Sequence, residues 1–268
     1  MKKIGLLLPL LIVTLSGTFM LSKSRTFQLF GEIVPRVETD RKVVALTFDD
    51  GPLNESVDGI LEDLRRENVK ATFFVCGAEI EKNREAAAKL VAAGHELGNH
   101  SYSHVRMWFK SPSFYADEFE KTDALIRAAG HDGPIYVRAP YCKKLVGLPR
   151  YFAKTGRVHV TFDVEPESDP EIDSSFTRIF SHVVENVRPG SIVLLHPWYR
   201  NRENSRAAVP LIVKTLKSAG YEFITVDELL KLRVSSRAQS RDPLQHHESR
   251  FVGGRSLDFA RDDTGRRS

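Results

Sequence analysis

The chain is poor in cysteine: Cys76 and Cys142 are its only two thiols in 268 residues. Two cysteines make no disulfide framework, so the fold must rest on a core rather than on covalent staples. Each lies in or beside an apolar stretch, which leaves both a bridge and two buried free thiols open. The chain also lacks a compact basic stripe with interleaved aromatics, which argues against nucleic acid as a partner. The formal charge is only +4 and sits at the ends. Lys2, Lys3, Lys23 and Arg25 are unopposed by any acid in the first 25 residues, and seven arginines face five acids after residue 235. The stretch between is slightly acidic. No internal repeat is evident, and no clean small-x-small cleavage site follows the N-terminal apolar run.

That run is the first positive signal. Lys2 and Lys3 precede an uncharged segment that lasts to Ser22. A basic start and an apolar stretch mark export, and its length suits a cleaved signal or a short anchor. Lysines on the N-terminal side place that end in the cytoplasm and the remainder outside, on the periplasmic or extracellular face. If uncleaved, residues 4–21 would contact the membrane.

With 41% apolar residues, the rest can bury one sizeable core. Short apolar runs at 43–48, 71–75, 95–98, 136–138, 158–162, 191–195 and 223–226 alternate with segments of helical spacing. The helical stretches are 56–67, 79–93, 113–129, 148–155, 173–186 and 207–219, with a short one N-capped by Asp227 and ending near Leu232. Runs without polar alternation are strands buried on both faces. Strand-then-helix alternation predicts an α/β fold of parallel strands, and about seven units favour a distorted (β/α)7-type barrel. The expected organisation is an export signal or anchor at 1–22, a connector at 23–41, one catalytic domain at 42–234 and a tail without fixed structure at 235–268.

In such folds chemistry collects at the carboxyl ends of strands. Asp49 and Asp50 follow the first strand, His100 and His104 the third, Arg138 and Tyr141 the fourth, Asp163 and Glu165 the fifth, and His196 the sixth. Two adjacent carboxylates at a buried strand end repel and are costly to desolvate, so they need a cation, a hydrogen-bond network or a catalytic role. The spacing His100-x-x-x-His104 would put both imidazoles on one helical face, where they could share a metal. One carboxylate with two imidazoles leaves coordination positions open, as a catalytic site requires. Taken singly, each has an ordinary structural reading: an Asx turn for the aspartates, a surface cation for Arg138, a satisfied core histidine for His196. His95 and His159 have no such company and are read as core or exposed histidines.

Together these residues carry a resemblance. Thr47-Phe48-Asp49-Asp50-Gly51-Pro52, His100-x-x-x-His104, Arg138-Ala139-Pro140-Tyr141 and Leu194-Leu195-His196 resemble, in order, four of the five motifs of the polysaccharide deacetylases, the NodB-homology enzymes of carbohydrate esterase family 4. The similarity runs from about Lys42 to Leu230. It implies a divalent metal, zinc above all, held by Asp50, His100 and His104, with Asp49 as general base oriented by Arg138. It implies an oxyanion contact from the Tyr141 N–H, His196 as general acid, and Leu195 or its neighbour at the acetyl pocket. The implied reaction is metal-assisted attack of water on the N-acetyl group of an amino-sugar polymer or oligomer, of peptidoglycan or chitin type. The rivals are an O-acetyl esterase or another non-peptide C–N hydrolase on the same site, and an inactive glycan-binding barrel.

The sequence departs from the family pattern in three places. The fourth motif has no Trp, and an ungapped match puts Ser168 where an Asp should support His196. Asp163, Glu165 and Asp169 are the candidates for that support. Cys142 stands where a Gly usually follows the Pro-Tyr pair, and Ala139 where a Pro is common.

Overall fold

The structure, a computed structural model, describes residues 4–239. It divides into two compact units, Met1–Arg233 and Val234–Ser268. In chain order the elements are α1 Ile4–Ser22, β1 Ile33–Val34, β2 Val43–Asp50, α2 Asn54–Arg66, β3 Thr72–Val75, α3 Gly77–Lys82, α4 Arg84–Ala92, β4 Glu96–Asn99, α5 Pro112–Ala128, α6 Gly147–Lys154, β5 His159–Val160, α7 Pro170–Asp173, α8 Phe176–Asn186, β6 Ser191–Leu195, α9 Glu203–Ser218, β7 Glu222–Phe223 and α10 Val226–Gln239.

The strands β4, β3, β2 and β6 are neighbours in that order and all parallel, and β7 pairs with the start of β2. Single bridges carry the ring onward. Asn99 meets Val137, Val137 meets His159, and β5 pairs with β1. Beyond β1, Arg36 bridges Ser191 in antiparallel sense and returns the ring to β6. This is the expected parallel α/β frame, closed on one side by bridges rather than full strands. β2, β3, β4 and β6 are buried along almost their whole length, which is why β2, β3 and β6 read as largely apolar runs.

Several expectations are corrected. The segment 23–41 is no mere connector: β1 and the Arg36 bridge lie in it and help close the barrel. The strand expected at 136–138 shrinks to the bridges of Val137, because Pro134 and Pro140 flank it and offer no N–H to a ladder. The helix expected at 79–93 is broken at Asn83, whose side chain donates to the Glu79 carbonyl and accepts from the Asn54 N–H at 3.2 Å. The last strand stops at Phe223 because Thr225 and Glu228 form a capping box. The Glu228 carboxylate accepts from the Thr225 N–H at 2.8 Å, and the Thr225 hydroxyl accepts from the Glu228 N–H at 3.3 Å. The cap expected at Asp227 is therefore two residues late, and the helix runs past Leu232 to Gln239. The tail expected from residue 235 falls, from residue 240 on, outside the described residues. α1 is an uncharged helix. Among the described residues no helix is long and apolar enough to cross a membrane, so the anchor expected at 4–21 gains no support here.

The main core lies between β2, β3 and β6 and the helices α2, α8 and α9. Phe73 sits at its centre, 5.1 Å from the Phe48 ring and 5.6 Å from the Trp198 ring. Burial of each such ring contributes roughly 2–3 kcal/mol. Trp198 also explains Gly51: a Cβ there would lie 2.1 Å from the indole, so the turn after Asp50 can close only over a glycine. Both cysteines are free and buried. Burial pushes the Cys76 thiol well up, and the Cys142 thiol up to about 11.

Candidate active site

β2 delivers Asp49 and Asp50 to the carboxyl end of the barrel with opposite surroundings. Asp49 is buried, and its Oδ1 accepts from the Arg138 guanidinium at 2.6 Å. Arg138 is fully buried. It also donates to Thr47 Oγ1 at 2.9 Å and to the carbonyls of Val160 and Thr161, and it lies 3.9 Å from the Phe74 ring centroid. These contacts leave the guanidinium one orientation, so Asp49 Oδ2 is the carboxylate oxygen free to act. It lies 3.6 Å from His100 Nε2.

Asp50 turns the other way, through a left-handed backbone with φ of 82°. Ser101, His104, Tyr141 and Cys142 are also left-handed, with φ between 53° and 67°. A non-glycine residue in that region costs on the order of 1–2 kcal/mol, so five in one site mark strain held in place by the surrounding fold. His100 and His104 are therefore not on a helical face, as their spacing suggested. They flank a loop that folds back through Ser101 and His104, and their rings end 5.0 Å apart. Asn99 Oδ1 accepts from the Ser101 N–H, and Ser101 Oγ accepts from the His104 N–H. Glu118 of α5, itself buried, accepts from the N–H groups of Tyr102 and Ser103 at 3.0 and 2.8 Å and from the Ser103 hydroxyl.

Donor atoms of Asp50, His100 and His104 all lie within 4.8 Å of one another. His100 Nδ1 is 2.9 Å from the Arg138 carbonyl, which can only accept, so Nδ1 carries the proton and Nε2 presents its lone pair. Burial drives the His100 pKa down to about 4, offset only in part by Asp49, so the ring is neutral, as a ligand must be. Asp50 Oδ1 lies 3.1 Å from His104 Nε2 and 3.6 Å from His100 Nε2, yet it is shielded from solvent and accepts no hydrogen bond. Burial raises the Asp50 pKa, but the close approach of His104 and the charges of His196, His100 and His104 outweigh it and hold the carboxyl well below its usual range. An orphaned carboxylate oxygen facing two imidazole nitrogens fits a divalent cation of the kind these donors bind.

His196 follows β6. Its Nδ1 lies 2.5 Å from Glu167 Oε2, a residue the sequence reading passed over. The three acids considered there are occupied elsewhere. Asp163 accepts from the Ser191 hydroxyl and the Ile192 N–H, Glu165 pairs with Arg25 at 2.9 Å, and Asp169 caps α7. The usable signal was the alternation Glu165-Pro166-Glu167, since residues two apart in an extended segment share a face. Burial alone would lower the His196 pKa; the Glu167 bond and charge, with Asp50 and Asp49 behind, raise it to about 9.

Asp49, Asp50, His100, His104, Tyr141 and His196 line one cavity of about 750 Å³. Leu194, not Leu195, faces it; Leu195 is buried in the core. The Tyr141 side chain is half exposed, with its ring 4.7 Å from that of His104. His95 and His159 are buried outside this set, bonded to Ala71 and to Gln28 and Ala139.

Comparison with known proteins identifies the family. The family model described as polysaccharide deacetylase matches residues 36–160. A peptidoglycan-N-acetylglucosamine deacetylase of Bacillus cereus is 32% identical over 211 residues, covering 76% of this chain and 95% of that protein. The peptidoglycan-N-acetylglucosamine deacetylase PgdA of Listeria monocytogenes is 30% identical over 202 residues, 73% of this chain. The match spans only 40% of the length of that Listeria protein. Among solved structures, the peptidoglycan deacetylase PdaC of Bacillus subtilis superposes with a TM-score of 0.68 at 30% identity, covering 79% of this chain and all of that one. With almost the whole Bacillus cereus protein matched and the same parallel α/β frame beneath the site, the chain belongs to the polysaccharide deacetylase family.

Proposed function

We propose that the chain is an exported, metal-dependent N-deacetylase of an acetylated amino-sugar polymer or oligomer, of peptidoglycan or chitin type. The observation that carries this reading is the joint lining of one cavity by the Asp50, His100 and His104 donors, the Arg138-held Asp49 and the Glu167-held His196. The similar proteins named as peptidoglycan-N-acetylglucosamine deacetylases support the substrate class.

Asp50, His100 and His104 would hold a divalent metal, with zinc the natural candidate for this donor set. When bound, such an ion acidifies water and polarises a carbonyl oxygen. Asp49 Oδ2 takes the proton of the attacking water while Arg138 keeps Oδ1 engaged and the carboxylate aimed. A new C–O bond forms at the acetyl carbon, and the Tyr141 N–H donates to the developing oxyanion, a contact worth about 3–4 kcal/mol in comparable sites. His196, with Nδ1 tied to Glu167, delivers a proton from Nε2 to the nitrogen as the C–N bond breaks. Acetate and a free amine result. An amine leaves poorly unless protonated, whereas an ester alkoxide needs less help. A histidine whose protonated form is favoured by the Glu167 contact therefore suits amide better than O-acetyl chemistry.

Lys2 and Lys3 ahead of the apolar run support export, to the periplasmic or extracellular face. The test is to incubate metal-loaded protein with N-acetylglucosamine oligomers and with peptidoglycan, and to measure acetate and new amine. Both are expected. Activity that survives both chelation and Asp49→Asn would overturn the mechanism.

A further inference from the structure

The segment between α1 and β1 does more than connect them. The Lys144 N–H donates to the Ser22 carbonyl at 2.8 Å, and the buried Lys144 ammonium donates to the Ser24 carbonyl. Thr161 Oγ1 donates to the Arg25 carbonyl at 2.6 Å. These clamps fix the backbone on either side of Lys23 along the wall of the site. Lys23, Arg25 and Lys143 line the same cavity as Asp49, Asp50 and His196.

The cations of this wall divide into two groups. Arg25 is neutralised by Glu165 at 2.9 Å, and Arg202, also in the lining, by Asp173 at 2.7 Å. Lys23, Lys143 and Arg106 have no such partner: among the described residues none of the three forms an ion pair. They are nonetheless close together. The Lys143 and Lys23 ammoniums lie 4.4 and 5.1 Å from the same Phe19 ring, and the Arg106 guanidinium lies 5.2 Å over the Tyr141 ring at the cavity wall. Burial and then the charges of Lys23 and Arg106 push the Lys143 pKa down. Like charges gathered on the wall of a cleft, with the aromatic faces as their main company, raise the local concentration of anions.

We propose that Lys23, Lys143 and Arg106 form an anion subsite beside the reacting centre, which receives a carboxylate or phosphate on a sugar flanking the one that is deacetylated. The preferred substrate is then an anionic acetylated glycan rather than a neutral one. This rests on the deacetylase reading above. A merely solvated basic face would favour both charged oligomers alike, and high salt would erase that preference.

The test compares kcat/KM on three oligosaccharides of equal length. One is neutral N-acetylglucosamine, one alternates N-acetylglucosamine with glucuronate, and one carries phosphate. The proteins are the full chain and its Lys23→Gln/Lys143→Gln variant, at low and high salt. The parent should prefer a charged substrate, and the double variant should lose about tenfold on it while the neutral oligomer changes less than about twofold. Which charged oligomer responds tells carboxylate from phosphate. Equal losses on all three, or no preference in the parent, would overturn the proposal. So would a double variant that loses binding to phosphatidylglycerol vesicles with its rates unchanged, since the cations would then serve a membrane surface. Calorimetric titration of the charged oligomers into the Asp49→Asn protein, with and without the lysines, reads the subsite without turnover. Lysine-dependent binding to that variant, with no acetate release from any glycan by the parent, would refute the deacetylase reading alone; lysine-independent binding would refute the subsite.

Discussion

His196 Nδ1 lies 2.5 Å from Oε2 of Glu167, a carboxylate whose side chain is only 1% exposed. The contact fixes the ring, leaves Nε2 as its free nitrogen, and holds the imidazolium up to about 9 against the opposing effect of burial. Glu167→Gln should lower that pKa. Activity that needs protonated His196 is lost as pH rises through its pKa, so the alkaline limb of kcat/KM should move to lower pH. At neutral pH the rate should fall about tenfold to hundredfold, read from a rate–pH profile. In metal-free protein, the stability the pair contributes should be complete below pH 6.5 and disappear as pH rises through about 9, as followed by thermal unfolding.

The ligand assignment has a direct check. His100→Ala with His104→Ala should abolish stoichiometric binding of zinc, measured by calorimetry, while the fold survives. Binding that persists would refute the site.

Glu118 touches no donor atom, yet it accepts two N–H groups and a hydroxyl from the loop that carries His104. Glu118→Ala should weaken metal affinity by about 10- to 100-fold, and excess metal should restore most of kcat. A change in stability alone, with metal affinity intact, would make Glu118 purely structural.

Arg138 is fully buried and bonded to Asp49, Thr47 and two carbonyls. Arg138→Met leaves the Asp49 carboxylate buried without its cation. The loss should be about 3–5 kcal/mol in denaturant unfolding, with partial recovery in Arg138→Met/Asp49→Asn, because the uncompensated charge is then gone.

Away from the site, burial raises the Glu96 carboxyl to about 7, and its Oε1 has no hydrogen-bond partner. An acid raised in the folded state favours folding while protonated, and loses that advantage as pH climbs from its ordinary 4.5 through 7. Glu96→Gln keeps the side-chain oxygen that serves Thr72 and Asp227 and removes the charge. It should stabilise the protein above neutrality by on the order of 1–3 kcal/mol and leave acid stability nearly unchanged.

The sequence alone determined the frame and which polar side chains gather at its carboxyl end. Largely apolar runs such as Val43–Phe48 and Ser191–Leu195 fix parallel strands buried on both faces, and polar residues just past those runs must emerge at one end of the barrel. That is why Asp49, Asp50, His100, His104, Tyr141 and His196 could be named in advance and line one cavity, with Arg138 buried behind Asp49. Only the tertiary structure decided how they are held. Periodicity speaks for regular elements, and the site is irregular. The His100–His104 spacing suggested a helix, but left-handed residues and Glu118 shape a loop there instead. The partner of His196 lies on an extended segment whose register no local pattern specifies, so Glu167 was passed over for its neighbours. The wall built from residues 22–25 depends on backbone carbonyls that every residue possesses. Their pairing with Lys144 and Thr161, distant along the chain, arises only when the barrel closes.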